Sequence, residues 1–364
     1  MVAVTADHDR IATAEDVEWF AIDHLSAVGA VRRAASALTH RLGLGEARSH
    51  EVSLVVSELA NNQIKHAGSG RVLLRARRTD SGHAAVEVLA MDSGPGMRDV
   101  SAAMRDGVSS SGTLGIGLGT LRRLASAWDV YSAPGDGTVV AATFGAHDDD
   151  VTWTAEPAGV TRAMTGQEVC GDSLAVRSDD GVISVLLADG LGHGPLAATA
   201  SREAVRAFLG APAGSPAQYL ATIHQALVGT RGAAVSVAQP VGDQIRYAGL
   251  GNIAAFQRGP GRSRGLLGQP GIAGSGSRRL REAVYPAELP GILVLHSDGL
   301  TDRMELDRHP GLFGHTPLVI AGLLLRDYGV RRDDASVVVV PLRLEPATQA
   351  PGGDSRRTTG ADAA

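Results

Sequence analysis

The chain has 364 residues, 44% of them apolar and 20% charged, a folded-protein composition long enough for two domains that excludes a wholly disordered chain. A formal net charge of −5 argues against a general nucleic-acid-binding surface, and the single cysteine, Cys170, excludes intrachain disulfides and cysteine-rich zinc sites. Of the 34 basic residues only Lys65 is a lysine, and no GxxxxGK[ST] loop surrounds it, so nucleotide phosphates must be held by another device.

Residues 15–42 read as a helical region, with Leu25, Val28, Val31, Ala35 and Leu38 at helical spacing and Gly43 and Gly45 at its exit. A second helix is expected over 46–66, then strands over 71–78 and 84–91, a sharp turn at Asp92-Ser93-Gly94-Pro95-Gly96, a loop, a short helix after Gly119, and strands near 127–132 and 138–144. The acidic, polar stretch that follows reads as a linker. Beyond it, strands are expected at 173–177 and 182–188 around a hairpin at Asp179-Asp180-Gly181, helices at 194–209, 216–228 and 316–327, and strands at 233–239, 244–249, 253–257, 291–297 and 335–341. The Gly/Arg/Ser-rich stretch 258–280 reads as a loop. The divisions are a flexible start (1–14), a first domain (15–145), a linker (146–159), a second domain (160–343) and a disordered tail (344–364). No positively charged leader with a long apolar core opens the chain, and no window approaches the roughly 18 apolar residues of a membrane span. The expectation is a cytoplasmic protein that engages neither membrane nor nucleic acid.

Two constellations carry chemistry. In the first half, Glu58, Asn62 and His66 lie at i, i+4 and i+8 along one helix face. An Asn oxygen can ligate Mg²⁺, and a Glu can orient or activate a hydroxyl. Asp92 ends a strand and enters a turn in which Gly94 and Gly96 let a ligand approach the backbone. Gly115, Gly117 and Gly119 then free backbone N–H groups toward phosphates at a helix start. Each element alone is equally a solvated helix face or a plain turn, and His66 reads as a polar helix-end residue. The ordered set is what distinguishes them.

SELANNQIKH resembles the N box of the gyrase, histidine-kinase and MutL type of ATP-binding fold (GHKL), DSGPGM its first glycine box, and TLGIGLGTLRRLASAWDVYSAPGDGTVVAATF its second. The phrase GIGLG…RRL…SAPGDGT is most similar to anti-sigma-factor serine kinases, in particular the stressosome switch kinase. The resemblance implies a two-layer α/β sandwich over about 25–145, with Asn62 on Mg²⁺, Asp92 on adenine and Glu58 as catalytic carboxylate; Gln63 departs from the usual Ala.

In the second half, Asp172, Asp189-Gly190, Asp298-Gly299 and Asp333-Asp334 sit at the ends of apolar strands. Singly, each is an ordinary turn aspartate. Together, clustered carboxylates repel unless cations compensate them, and oxygen-only ligands favour Mg²⁺ or Mn²⁺. His193 and His296 flank the acids, with structural or surface roles as the plainer reading. GDSLAV, LLADGLGHGPLAATAS, LHSDGLTD and RRDDASVVVV resemble the metal-dependent PPM serine/threonine phosphatases, in the bacterial sporulation and stressosome-feedback branch. That implies an α-β-β-α sandwich over about 160–341. Its metal ligands would be Asp172, Asp189, Asp298 and Asp333, with Asp189 bridging and Gly190 contributing its carbonyl; Asp334 is the lesser candidate. No phosphate-orienting Arg is evident near Asp172.

The combined resemblance implies a bifunctional regulator, an ATP-dependent kinase joined to a phosphatase. Its expected partners are STAS-domain antagonists or stressosome-like proteins, and a sigma factor or its regulator. The alternatives are a phosphatase governed by a non-catalytic ATP-sensing domain, and a module that sequesters a sigma or anti-sigma partner.

Overall fold

The computed structural model describes residues 2–3, 12–79, 83–104, 117–146, 156–276 and 279–343. The first unit contains β1 (Val2–Ala3), β2 (Ala12–Ile22), α1 (Leu25–Arg41), α2 (Gly45–Asn62), β3 (Gly70–Thr79), β4 (Ala84–Asp92), α3 (Val100–Ala103), α4 (Gly117–Leu124), β5 (Ala127–Ser132) and β6 (Thr138–Gly145). Its strands form one antiparallel sheet in the order β1-β2-β3-β4-β6-β5.

The helix expected over 15–42 is two elements. Past an irregularity at Asp16/Glu18, Phe20 and Ile22 pack with the helices while Trp19 packs on the opposite face, the period of two that belongs to a strand. Val2 and Ala3 pair with Ala14 and Thr13, so part of the expected flexible start is paired backbone. Helical spacing holds from Leu25 onward, and Val31, Ala35 and Leu38 are buried. They meet Val52, Val55, Val56 and Leu59 of α2 over Val72, Leu74, Val86 and Val88 of the sheet.

The second unit contains β7 (Ala158–Arg162), β8 (Asp172–Asp179), β9 (Val182–Gly190), α5 (Pro195–Gly210), α6 (Pro216–Ala226), β10 (Ala233–Val241), β11 (Gln244–Leu250), β12 (Ala254–Gly259), β13 (Arg262–Leu266), β14 (Ala283–Pro286), β15 (Gly291–His296), α7 (Pro317–Tyr328) and β16 (Ala335–Leu342). They build two antiparallel sheets, β14-β11-β10-β9-β8 and β13-β12-β15-β16-β7. β13 pairs with β12 inside the stretch expected as loop, and β14, unanticipated, adds an edge to β11. The polar composition of Arg262–Leu266 fits this position, since its outer residues stay exposed. β7 starts within the segment expected as linker and closes the other edge of its sheet on β16.

Leu174, Val176, Val185 and Leu187 of one sheet interlock with Leu293, Leu295, Val338 and Val340 of the other. Phe208, Tyr219, Leu220 and Ile223 of α5 and α6 cover the outer face of the β8–β11 sheet. Among the described residues the opposite outer face has α7 alone where a helix pair was expected. Residues 318–325 of α7 are buried throughout, as a helix apolar on all sides must be. One side of α7 lies on Val294, Val337 and Val339, the other on Leu89, Met91, Val139 and Ala141 of the first unit's sheet. Gly322 makes room for this packing, since an added Cβ would stand 2.9 Å from Leu89 Cδ1.

The rear of the first sheet also carries buried charge. Arg75, 1% exposed, bonds Asp16 Oδ1 (2.6 Å), Glu87 Oε2 (2.8 Å) and the Gly159 carbonyl (2.9 Å). Asp16 Oδ2 in turn accepts from the Thr161 N–H at 2.6 Å, and Arg77 pairs with Glu156. Both units therefore share one interface of apolar side chains and paired ions. Among the described residues, no helix is long and apolar enough to cross a membrane.

Candidate active sites

α2 delivers Asn62 at its last position, and the chain then widens into a π-helical turn, Gln63–Ala67. Gln63, 2% exposed, fastens that turn to the sheet by donating to the carbonyls of Arg71 (3.0 Å) and Met91 (3.2 Å). The room this larger side chain needs comes from Gly70, where a Cβ would stand 2.3 Å from Gln63 Cδ. A cavity of about 440 Å³ opens beside the turn, lined by Asn62, Gln63, His66, Asp92, Gly96 and Met97, with Leu118 and Thr138. Its size and mostly apolar walls suit a small organic ligand.

Asp92 ends β4 and turns its Oδ1 to the Gly94 N–H at 2.9 Å. Burial raises its pKa, against the pull of Gly94, Arg326 and the Thr138 backbone. Gly96 has φ of 67° and would place a Cβ 1.9 Å from the Ala133 carbonyl, so only glycine closes this turn. Gly94 packs on Ala67. Glu58 lies one turn before Asn62 but does not line the cavity. The short helix, α4, begins at Gly117 and so contains both Gly117 and Gly119. Gly115 lies outside the described residues.

In the second unit the hairpin register sets Asp172 opposite Asp189. The charges of Asp172, Asp298 and Asp333 all bear on the Asp189 carboxyl. Asp172, 4% exposed, accepts from Ser336 Oγ at 2.7 Å through Oδ2, while its buried Oδ1 has no partner. Asp298 accepts from Asn252 Nδ2 at 2.7 Å. Burial, reinforced by the other acids, pushes the pKa of Asp172, Asp189 and Asp298 up. An orphaned carboxylate oxygen amid crowded acids is a donor set that fits divalent cations. Asp333 flanks the group, with Oδ1 accepting from the Asp334 N–H at 2.9 Å. Asp334 is spent elsewhere: its oxygens accept from the N–H groups of Met164 (2.8 Å) and Gly171 (2.9 Å). Gly190 packs on α5, where a Cβ would meet the Ala197 carbonyl at 2.1 Å. His193 is exposed; His296 is 2% exposed, burial holds its pKa down, and its Nδ1 lies 2.9 Å from the Ser297 carbonyl.

Residues 23–144 match the family model for the histidine kinase-like ATPase domain, and residues 179–342 match that for stage II sporulation protein E (SpoIIE). Serine/threonine-protein kinase RsbT of Bacillus subtilis (strain 168) is 34% identical over 113 residues, which cover 31% of this chain and 84% of that protein. The chain belongs to the histidine kinase-like ATPase family, fused to a SpoIIE-type phosphatase domain. A solved structure described under the bacterial stressosome is 28% identical, with a TM-score of 0.46, over 50% of this chain and 97% of its own. The phosphatase domain of SpoIIE from Bacillus subtilis, with a fragment of its regulatory domain, is 17% identical, with a TM-score of 0.44, over 72% of this chain and 80% of its own.

Between the ATPase and phosphatase domains lies a polar cluster that sequence spacing did not disclose. Asp136, His309 and Asp327 bring potential metal-ligand atoms within 4.8 Å of one another, the one such group among the described residues. Those atoms are already hydrogen-bonded. Asp136 Oδ2 takes Tyr131 Oη (2.6 Å) and lies 2.7 Å from His309 Nδ1, and His309 Nε2 lies 3.1 Å from Tyr328 Oη. Although burial opposes it, these bonds hold the Asp136 carboxyl below its usual range. An ion here would have to exchange these bonds for its own, whereas Asp172 Oδ1 has none to lose. Beside the cluster, Arg326 of α7 chelates Asp327 and donates from Nη1 to the Asp92 carbonyl at 2.8 Å. Asp92, on the wall of the first cavity, is thus bonded directly to the phosphatase domain. Arg326 follows an unbroken apolar run, and only the fold reveals what it reaches.

Proposed function

We propose that the chain is a metal-dependent phosphoserine/phosphothreonine phosphatase governed by an ATP-binding domain. The observation carrying this reading is the set of crowded acids around Asp189, with one buried oxygen of Asp172 unpaired. Asp172, Asp189, Asp298 and Asp333, with the Gly190 carbonyl, would hold Mg²⁺ or Mn²⁺, and Asp189, which feels the charge of the other three acids, suits the bridging position. Such ions, when bound, supply Lewis acidity and a water acidified toward neutral pH. The protein's part is to fix the ligands: Ser336 orients Asp172, Asn252 orients Asp298, and Asp334 ties down the strand connection beside them.

In the ATPase domain, Asn62 would hold Mg²⁺ and Asp92 would accept from the adenine amino group, with the backbone at Gly94, Gly96, Gly115, Gly117 and Gly119 serving turns and phosphates. The Arg326–Asp92 bond favours nucleotide control of the phosphatase. Relatives in stressosome and sporulation systems make phosphorylated STAS-domain proteins the substrates to try. The test is dephosphorylation of such a protein with and without a non-hydrolysable ATP analogue, in the wild type and in Arg326→Met. A rate that responds to the analogue in the wild type and not in the variant supports the reading; a rate indifferent to the analogue in both removes nucleotide control.

A second reading, kinase activity, is favoured by Glu58 standing one turn from Asn62 and by the identity to RsbT. Labelled ATP and a STAS-domain acceptor, in an Asp189→Asn background that preserves product, test it. Labelling should disappear in Glu58→Gln while ATP binding persists; equal labelling with and without Glu58 rejects that role.

A further inference from the structure

A second cavity, of about 400 Å³, lies between the rear of the ATPase domain and the C-terminal end of α7. Four arginines line it, Arg71, Arg162, Arg326 and Arg331, together with Asp23 and Asp92. Arg326 is accounted for by Asp327, Asp136 and the Asp92 carbonyl. The other three are not. Arg162 donates to the Val330 carbonyl at 2.7 Å, and among the described residues neither Arg71 nor Arg331 has an acid partner or a side-chain hydrogen bond.

This is unlike the rest of the same strand, where Arg75 is saturated by Asp16, Glu87 and a carbonyl. Burial and the charge of Arg331 weaken the hold of Arg71 on its proton; burial, Arg71 and Arg331 do the same to Arg162. Half-buried cations that face one another are costly unless an anion joins them. Guanidinium forks suit a tetrahedral oxyanion, which takes two parallel N–H bonds from each. Ser69 and Ser93, also on the wall, add hydroxyl donors.

The geometry points to a binding site for a phosphate group in this interdomain cavity, held by Arg71, Arg162 and Arg331. It shares Asp92 with the first cavity, but its three cations belong to neither candidate active site and do not depend on their assignment. The cavity is larger than a bare phosphate needs, so the group can arrive as free phosphate or on an ester.

The experiment uses the full-length chain in EDTA, where the uncompensated phosphatase acids repel anions. At constant ionic strength it is titrated calorimetrically with inorganic phosphate and, separately, with O-phosphoserine. One-site saturable binding is expected, weakened about tenfold or more by Arg71→Gln and likewise by Arg331→Gln. Arg331 is exposed, so its replacement tests the site without burdening the fold, and melting curves verify this. Binding of phosphate alone makes the ligand the free anion, binding of phosphoserine alone makes it an ester, and equal binding makes the phosphate group sufficient. No saturable binding of either probe below about 10 mM, or binding indifferent to both substitutions, overturns the proposal.

Discussion

Asp189→Asn should strengthen the metal-free protein while abolishing its response to metal. Burial, then the charges of Asp172, Asp298 and Asp333, raise the Asp189 pKa from 3.8 to about 9. For an acid shifted upward the sign is fixed. Below the unfolded value both states are protonated and folding bears no cost. As pH rises, the unfolded chain releases its proton while the folded one retains it, and the cost grows until the folded value is passed. At pH 8 the interval is about four pH units, an upper bound of about 6 kcal/mol at 1.36 kcal/mol per unit. The same repulsion also raises Asp172, and it can be relieved only once. A gain of about 2 kcal/mol is therefore expected, since an amide is neutral in both states and escapes the cost of holding that proton at pH 8. For a chain of this length melting as one unit that is roughly 2–4 °C. Scanning calorimetry in EDTA should show the variant melting above the wild type at pH 8, with the gap closing toward pH 5. Added Mn²⁺ should then raise the wild type and leave the variant where it was. A variant that melts below the wild type at pH 8, or a gap that ignores pH, would refute the electrostatic account of this site.

Asp334→Ala should cost about 2–4 kcal/mol in denaturant unfolding, because the N–H groups of Met164 and Gly171 both lose their acceptor; a loss below about 0.5 kcal/mol would mean water replaces it. Gly322→Val should destabilise by about 1–3 kcal/mol, since the new side chain meets Leu89 and Val139, and a neutral result would show that α7 can retreat from the sheet. In the full-length chain, Asn62→Ala and Asp92→Asn should each weaken ATP–Mg²⁺ binding about tenfold or more by calorimetry, and unchanged affinity in both would remove the cavity from consideration as the nucleotide site.

The parts of the fold that were legible in sequence are those set by local periodicity. The apolar positions of α1 and α2, the β8–β9 hairpin at Asp179-Asp180-Gly181 and the strands preceding Asp189 and Asp298 all follow from spacing and turn chemistry. Residues 15–22 were misread because the helical spacing beginning at Leu25 was extended backward over Val17, Trp19 and Phe20, which alternate. β13 was missed because an edge strand needs only backbone pairing, so its Arg and Ser residues carry no apolar signal. What joins the halves was out of reach for a different reason. Arg75 with Gly159, Asp16 with Thr161 and Arg326 with Asp92 are separated by 84, 145 and 234 residues, and no local pattern encodes such pairings.

The sheet of the ATPase domain has no outside. Leu73, Leu89, Met91 and Val139 form its rear wall, and α7 closes on them as tightly as α1 and α2 close on the front. Expressed alone, the first 145 residues would present that wall and the stripped ions Arg75, Arg77 and Glu87 to water, and a phosphatase fragment would present the bare flank of α7. Separate halves would therefore adhere to themselves or to each other. The two domains are inherited in fixed one-to-one proportion, and the chain should lose both in a single cooperative melt.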